Sequence, residues 1–177
     1  MNELVNSVIN DQIQVEYAAS QKYLKMATLL ESYGYGGSSE FFYRQSEEER
    51  EHMMKLIRFL MERGGDYKPP TKSPSELIED LELDDVDKTN VLKHVFEMSL
   101  KGEQLVTEHV NRVVHICREV KDYTTENFMQ WFVTEQIEEE KTFNDILDKI
   151  NLIGDDRGGQ YLIDTLLLEF NLNQMSN

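Results

Sequence analysis

Four long amphipathic stretches, each with a carboxylate set inside its apolar stripe, constrain this chain more than any other feature. Apolar residues recur at alternating spacings of three and four, the pattern of one buried helix face. The first stretch, over 2–33, puts Val5, Val8, Gln12, Glu16, Ala19, Tyr23, Met26 and Leu30 on that face. The second, over 38–64, sets Glu49 and His52 between Phe42 on one side and Leu56 and Phe59 on the other. The third, over 87–119, aligns Val95, Ser99, Glu103, Val106, Val110 and Val113. The fourth, over 125–153, aligns Phe128, Phe132, Glu135, Glu139, Phe143, Ile146 and Ile150.

A carboxylate in such a stripe is costly unless something pairs it. The stripes offer no facing row of lysine or arginine, so the expected solution is a shared cation. Oxygen donors with one imidazole suit iron, manganese or zinc, and several bridging carboxylates suit two metal ions held close together. Glu49 and His52 stand at i and i+3 and so share one helix face. A lone Glu-x-x-His on an acidic helix usually lies on a solvated face; four carboxylates aligned at mid-length on four helices favour a metal.

Composition narrows the partners. The formal net charge of −16 argues against nucleic acid, whose binders are basic. Most of the 34 acidic residues are expected on a solvated surface that draws in cations. One cysteine, Cys117, excludes an intrachain disulfide and a four-cysteine metal site, and fits a reducing compartment. No apolar run reaches the ~20 residues of a membrane span. The opening MNELVNSVIN lacks a basic segment followed by an apolar one, so the expectation is a soluble, cytoplasmic chain with no membrane partner. Its length suits one domain over 1–177.

Glycines and prolines set the connections. SYGYGGSS stops the first helix and offers Ser38 or Ser39 as cap of the second, and RGGDYKPP stops the second. Residues 68–87 form a connection too long for a helical hairpin, with a short helix expected around 76–81. A crossover of that length joins parallel neighbours, whereas the brief VKDYTTE makes helices three and four antiparallel. After GDDRGG, residues 160–170 predict a short fifth helix whose apolar face the core does not need. The expected fold is all-α: a four-helix bundle with a long crossover between helices two and three, plus a short C-terminal helix.

The segments SEEEREHMMKLIRFL, KGEQLVTEHVNRV and DYTTENFMQWFVTEQIEEEKTF resemble those of prokaryotic non-haem ferritins, within the ferritin-like di-iron family. The likeness runs over nearly the whole chain, and EQIEEEK after QWF, with the early EYAASQKYLKMA, is its most specific part. Ferritin-like di-iron proteins take single glutamates from two helices and Glu-x-x-His from the other two. Here there is one Glu-x-x-His, and helix four has Gln136-x-x-Glu139 instead.

The resemblance implies a di-iron ferroxidase centre: Glu16, Glu49 and His52 at a first iron, with Glu49 bridging to a second held by Glu103 and Glu139, and Gln136 beside it. It implies a third iron site at Glu48, Glu135, Glu138 and Glu139. Tyr23 matches a tyrosine next to the centre, as hydrogen-bond partner of Glu103 or electron donor; a plain core aromatic is the alternative. No haem is expected, because a haem-binding relative carries methionine where this chain has Arg50 and keeps a second Glu-x-x-His. One cysteine cannot build the extra iron site of a rubrerythrin. The crossover is about ten residues longer than the family pattern leads one to expect.

The implied activity is oxidation of Fe(II) to Fe(III) by dioxygen or hydrogen peroxide, with ferric mineral stored in a hollow twenty-four-subunit homo-oligomer whose four-fold axes the fifth helix lines. Asp122 and Glu126 fit either a pore or the acids of a helix start. Two other readings stay open: a di-iron oxidase or peroxidase without mineral storage, and a helical bundle whose acids are surface charges.

Overall fold

The structure, a computed structural model, describes residues 1–77 and 90–174. Six helices occupy them: α1 Glu3–Ser32, α2 Gly36–Glu62, α3 Pro74–Leu77, α4 Val91–Glu119, α5 Tyr123–Ile153 and α6 Arg157–Gln174. Four are long, as the periodicity predicts, and α6 extends beyond the expected 160–170 at both ends. Most of the expected 76–81 crossover helix, and the residues from 87 that were to open helix three, lie outside the described residues. No described helix is long and apolar enough to cross a membrane.

Two apolar clusters with a polar layer between them give the topology. One cluster gathers Tyr23, Met26 and Leu30 of α1, Phe41 and Phe42 of α2, Val95 and Phe96 of α4, and Phe143 and Ile150 of α5. The other gathers Val5, Ile9 and Ile13 of α1, Leu56 and Leu60 of α2, Val106 and Val110 of α4, and Met129 and Phe132 of α5. Each long helix passes from one cluster to the other, and Glu16, Glu49, Glu103 and Glu139 all fall at the crossing. The order of clusters along each chain segment makes α1 antiparallel to α2, α4 antiparallel to α5, and α2 parallel to α4. Because α2 and α4 run parallel, the chain needs the long crossover between them, while α2 packs on α1 and α4 on α1 and α5. Burying each large apolar side chain contributes about 1.5–3 kcal/mol, and these two clusters offset the cost of the charged layer between them.

Local chemistry sets the start and end of α1 and the start of α5, and α2 departs from it. Asn2 Oδ1 accepts from the Leu4 amide at 2.8 Å to cap α1, and Gly34 ends it at φ +87°. Asp122 caps α5 by accepting from the Thr125 amide at 3.1 Å and pairs with Arg63 at 3.0 Å, while Glu126 pairs with Arg118 at 2.7 Å. Both acids therefore sit as helix-start acids.

The exception is α2. Neither Ser38 nor Ser39 caps it, because the helix already begins at Gly36. Its free N–H groups are met from α6: Asp164 accepts from the Gly37 amide at 3.1 Å and from the Ser38 amide and hydroxyl, each at 2.7 Å. Ser39 instead donates to the Ala27 carbonyl on α1 at 3.0 Å. The approach demands glycine, since a Cβ at Gly37 would lie 1.8 Å from the Asp164 carbonyl oxygen.

Two expectations about burial change. On α5 the buried face runs Thr125, Met129, Phe132, Gln136, Glu139, Phe143, so Gln136 takes the place assigned to Glu135, which is half-buried, as is Phe128. The apolar residues at 129 and 143 set that register. The bundle also buries a lysine after all: Lys22 is 8% exposed, on a second face of α1 that the single stripe did not cover.

Candidate metal centre

Mid-bundle, α1 supplies Glu16 and α2 supplies Glu49 and His52, and one ligand atom from each lies within 4.8 Å of the other two. All three are buried. His52 Nδ1 stands 3.4 Å from Glu49 Oε2, an arrangement open enough to admit an ion between them. Glu16 Oε1 accepts from Gln12 Nε2 at 2.8 Å, one turn earlier on α1.

The remaining oxygens carry the information about a ligand. Glu16 Oε2 and Glu49 Oε2 are buried with no hydrogen-bond partner. A buried carboxylate oxygen without a partner costs several kcal/mol, and a cation supplies what is missing. The donor set fits iron: hard carboxylate oxygens plus one imidazole.

Across the bundle, α4 and α5 provide the second half. Glu103 is held on both oxygens: the Tyr23 hydroxyl donates to Oε1, and Gln136 Nε2 donates to Oε2 at 3.0 Å. Gln136 also reaches the Glu103 carbonyl at 3.2 Å. Glu139 is buried beside it. Tyr23 itself packs against Phe42 and Phe143 at ring separations of 5.7 and 5.8 Å, so both sides of its sequence reading, core aromatic and Glu103 partner, describe it.

Electrostatics agree with four crowded carboxylates whose mutual repulsion Lys22 offsets only in part. Burial, then the neighbouring Glu103 and Glu16 carboxylates, holds Glu49 well above the usual carboxylate range. Burial also raises Glu103 to about 7, against the pull of its hydrogen bonds from Tyr23 and Gln136. Glu139 rises to about 9 through burial and the nearby carboxylates Glu103, Glu48 and Glu135. Like charges this reluctant to ionise are an arrangement that a multivalent cation would relieve.

The outer carboxylates divide. Glu48 is half-buried, takes a 2.9 Å hydrogen bond from Gln45 Nε2, and is raised by burial and by Glu135 across the α2–α5 seam. Glu48, Glu135 and Glu139 thus face one another electrostatically. Glu138 is solvent-exposed.

Three residues of the surroundings escaped the sequence reading. Gln12 stood in the first stripe without a role; an amide one turn before a buried Glu was the available signal. Lys22 precedes Tyr23 and so falls off the single face that was read. Trp131, which no stripe includes, sets its ring edge-on to His52 at 5.2 Å and carries Lys55 Nζ 3.4 Å from its centroid. Nothing in its spacing revealed that.

Comparison with known proteins follows the same outline. A family model described as a ferritin-like domain matches residues 6–153. A probable bacterial non-heme ferritin-like protein of Haemophilus influenzae is 37% identical over 164 residues, covering 93% of each chain. The bacterial non-heme ferritin of Campylobacter jejuni is 35% identical over 174 residues, covering 98% of each. Among solved structures, an open pore ferritin from the hyperthermophilic archaeon Archaeoglobus fulgidus superposes with a TM-score of 0.85 at 33% identity, covering 95% of this chain and 98% of that one. Matches of this extent, joined to a four-helix bundle with a buried Glu/Glu/His group at its centre, place the chain in the ferritin family.

Proposed function

We propose that this protein is an iron-storage ferritin that oxidises Fe(II) at the mid-bundle centre and keeps the ferric product in an assembled shell. The observation that carries the reading is the pair of buried, unpartnered oxygens on Glu16 and Glu49 beside His52. A first Fe(II) is assigned to Glu16, Glu49 and His52, and a second to Glu49, Glu103 and Glu139, with Gln136 steadying Glu103. Each of two Fe(II) ions gives up one electron; dioxygen takes the pair with two protons and leaves as hydrogen peroxide, or hydrogen peroxide takes the pair with two protons and leaves as water. Carboxylate oxygens stabilise the higher charge of Fe(III) and so favour the electron loss.

The residues Glu48, Glu135 and Glu139 form a candidate third iron position leading away from the centre, with Glu138 as its solvent-facing member. Storage needs a closed compartment. The outward face of α6 exposes Tyr161, Leu162, Leu166 and Leu168, and symmetry-related copies in a twenty-four-subunit shell are the proposed cover. The description of the archaeal neighbour as an open pore ferritin suits a shell of this kind.

The test is aerobic addition of Fe(II) to metal-free protein while following Fe(III) absorbance, with His52→Ala and Glu49→Gln in parallel. Oxidation faster than in buffer, and slowed at least about tenfold in either variant, supports the centre. Oxidation no faster than in buffer sinks it. A di-iron oxidase without storage would oxidise the first two ions per subunit and then stop.

A further inference from the structure

Thr107 on α4 departs from a habit that Ser99, Thr134 and Thr165 keep. Each of those hydroxyls donates to the carbonyl one turn back in its own helix, at 2.8, 3.1 and 2.9 Å. For Thr107 the carbonyl one turn back belongs to Glu103. Its hydroxyl donates instead across the bundle to Glu140 Oε1 on α5, at 2.5 Å. The Glu103 carbonyl accepts from Gln136 Nε2 at 3.2 Å, and the same nitrogen donates to Glu103 Oε2 at 3.0 Å. A hydroxyl has one proton, and this one is spent on Glu140. Thr107 can therefore only accept from Gln136, whose Nε2 lies 3.4 Å from Oγ1. Three acceptors thus commit the donor side of the amide to Glu103. Glu140 is half-buried and stands outside the proposed ligand set.

We propose that Glu140 and Thr107 are positioning residues for the second ion: Glu140 draws the Thr107 proton away from the Glu103 carbonyl, and this leaves Gln136 to clamp Glu103 by both carbonyl and carboxylate. The proposal rests on the reading of the centre given above. Without the Glu140 carboxylate, the Thr107 hydroxyl returns to the carbonyl one turn back and competes there with Gln136. The amide then loses the contacts that fix the angle at which it holds Glu103 Oε2. Partners of metal ligands commonly change affinity about tenfold. The effect falls on the ion that Glu103 holds, and spares the one at Glu16, Glu49 and His52.

The experiment titrates Co(II) anaerobically into the wild type and its variants by calorimetry, the binding step lost in Glu103→Ala being assigned to the second ion. Glu140→Leu is expected to weaken that step about tenfold and to leave the other unchanged. Glu140→Gln, which keeps an acceptor oxygen for Thr107, is expected to bind like the wild type. The double variant Thr107→Val, Glu140→Leu lacks the competing hydroxyl and is expected to recover most of the lost affinity. Equal weakening in Glu140→Leu and Glu140→Gln overturns the proposal, because the carboxylate then acts by its charge alone. A double variant no better than Glu140→Leu also overturns it, as does a Glu140→Leu that binds like the wild type. Should Glu140→Leu fail to fold, Glu140→Ala replaces it with the same expected sign. If the wild type shows no step that Glu103→Ala removes, the reading of the centre falls, and this proposal with it.

Discussion

Gln136 on α5 donates its side-chain amide to Glu103 Oε2 on α4 at 3.0 Å, while Tyr23 on α1 holds the other oxygen of the same carboxylate. Glu103 is thus fixed before any ion arrives, whereas Glu16 and Glu49 each keep one oxygen uncommitted. The centre has a prepared half and an open half.

That division makes the polar clamp a stability element of the metal-free protein. Gln136→Leu and Tyr23→Phe each leave a buried carboxylate oxygen short of a donor, costing about 1–3 kcal/mol. Because both act on Glu103, the double variant should lose less or more than the sum. Urea unfolding of the four proteins measures the coupling, and strict additivity would mean that the two donors do not share Glu103.

The pH dependence follows from the raised carboxyl groups. Glu103 and Glu139 titrate near 7 and near 9 in the folded protein against an ordinary value of 4.5, so the native state binds more protons than the unfolded chain between those limits. Their contribution is fully present below about pH 4.5 and is lost as pH rises through 7 and then 9. Metal-free protein should therefore lose stability, on the order of several kcal/mol, as pH rises from 5 to 8. Glu139→Gln should flatten that slope. A divalent ion, which needs the ionised carboxylates, should stabilise more at pH 8 than at pH 5 and release protons on binding. Chemical unfolding across this range, with and without Zn(II), checks the sign.

Gln12 orients Glu16 by the 2.8 Å hydrogen bond between them. Gln12→Leu should weaken Co(II) binding about tenfold, since partners of metal ligands typically act on that scale. Calorimetry should show it. Unchanged affinity would mean that Glu16 is oriented by other contacts.

Asp164 joins α6 to the start of α2. Asp164→Ala should destabilise the protein by about 1–2 kcal/mol, as loss of a cap does. Gly37→Ala should be worse, because its Cβ would meet backbone. Limited proteolysis near Gly154 reports whether α6 has come loose, and an unchanged digestion pattern would show that other contacts hold it.

Much of this was legible in the sequence. Periodicity placed four long helices, and Glu16, Glu49, Glu103 and Glu139 within their buried faces, because apolar residues at spacings of three and four leave little choice of face. Glu135 was misread for the same reason that it was readable: neighbouring Phe128 and Met129 allow two stripes one residue apart, and only packing against α4 selects the one with Gln136. The α2 cap was beyond reach, since its acceptor Asp164 is far along the chain. Lys22 was missed because α1 is buried on more than one face, so a lysine beside the stripe is not thereby in water.

The central claim is that the centre oxidises iron which an assembled shell then keeps. The most direct measurement is size exclusion after aerobic loading with excess Fe(II), following iron and protein together for the wild type and His52→Ala. The account predicts that wild-type iron elutes with a large particle, well beyond two ions per subunit, and that the variant loads far more slowly. Iron that elutes apart from the protein, or equal loading in the variant, would contradict it.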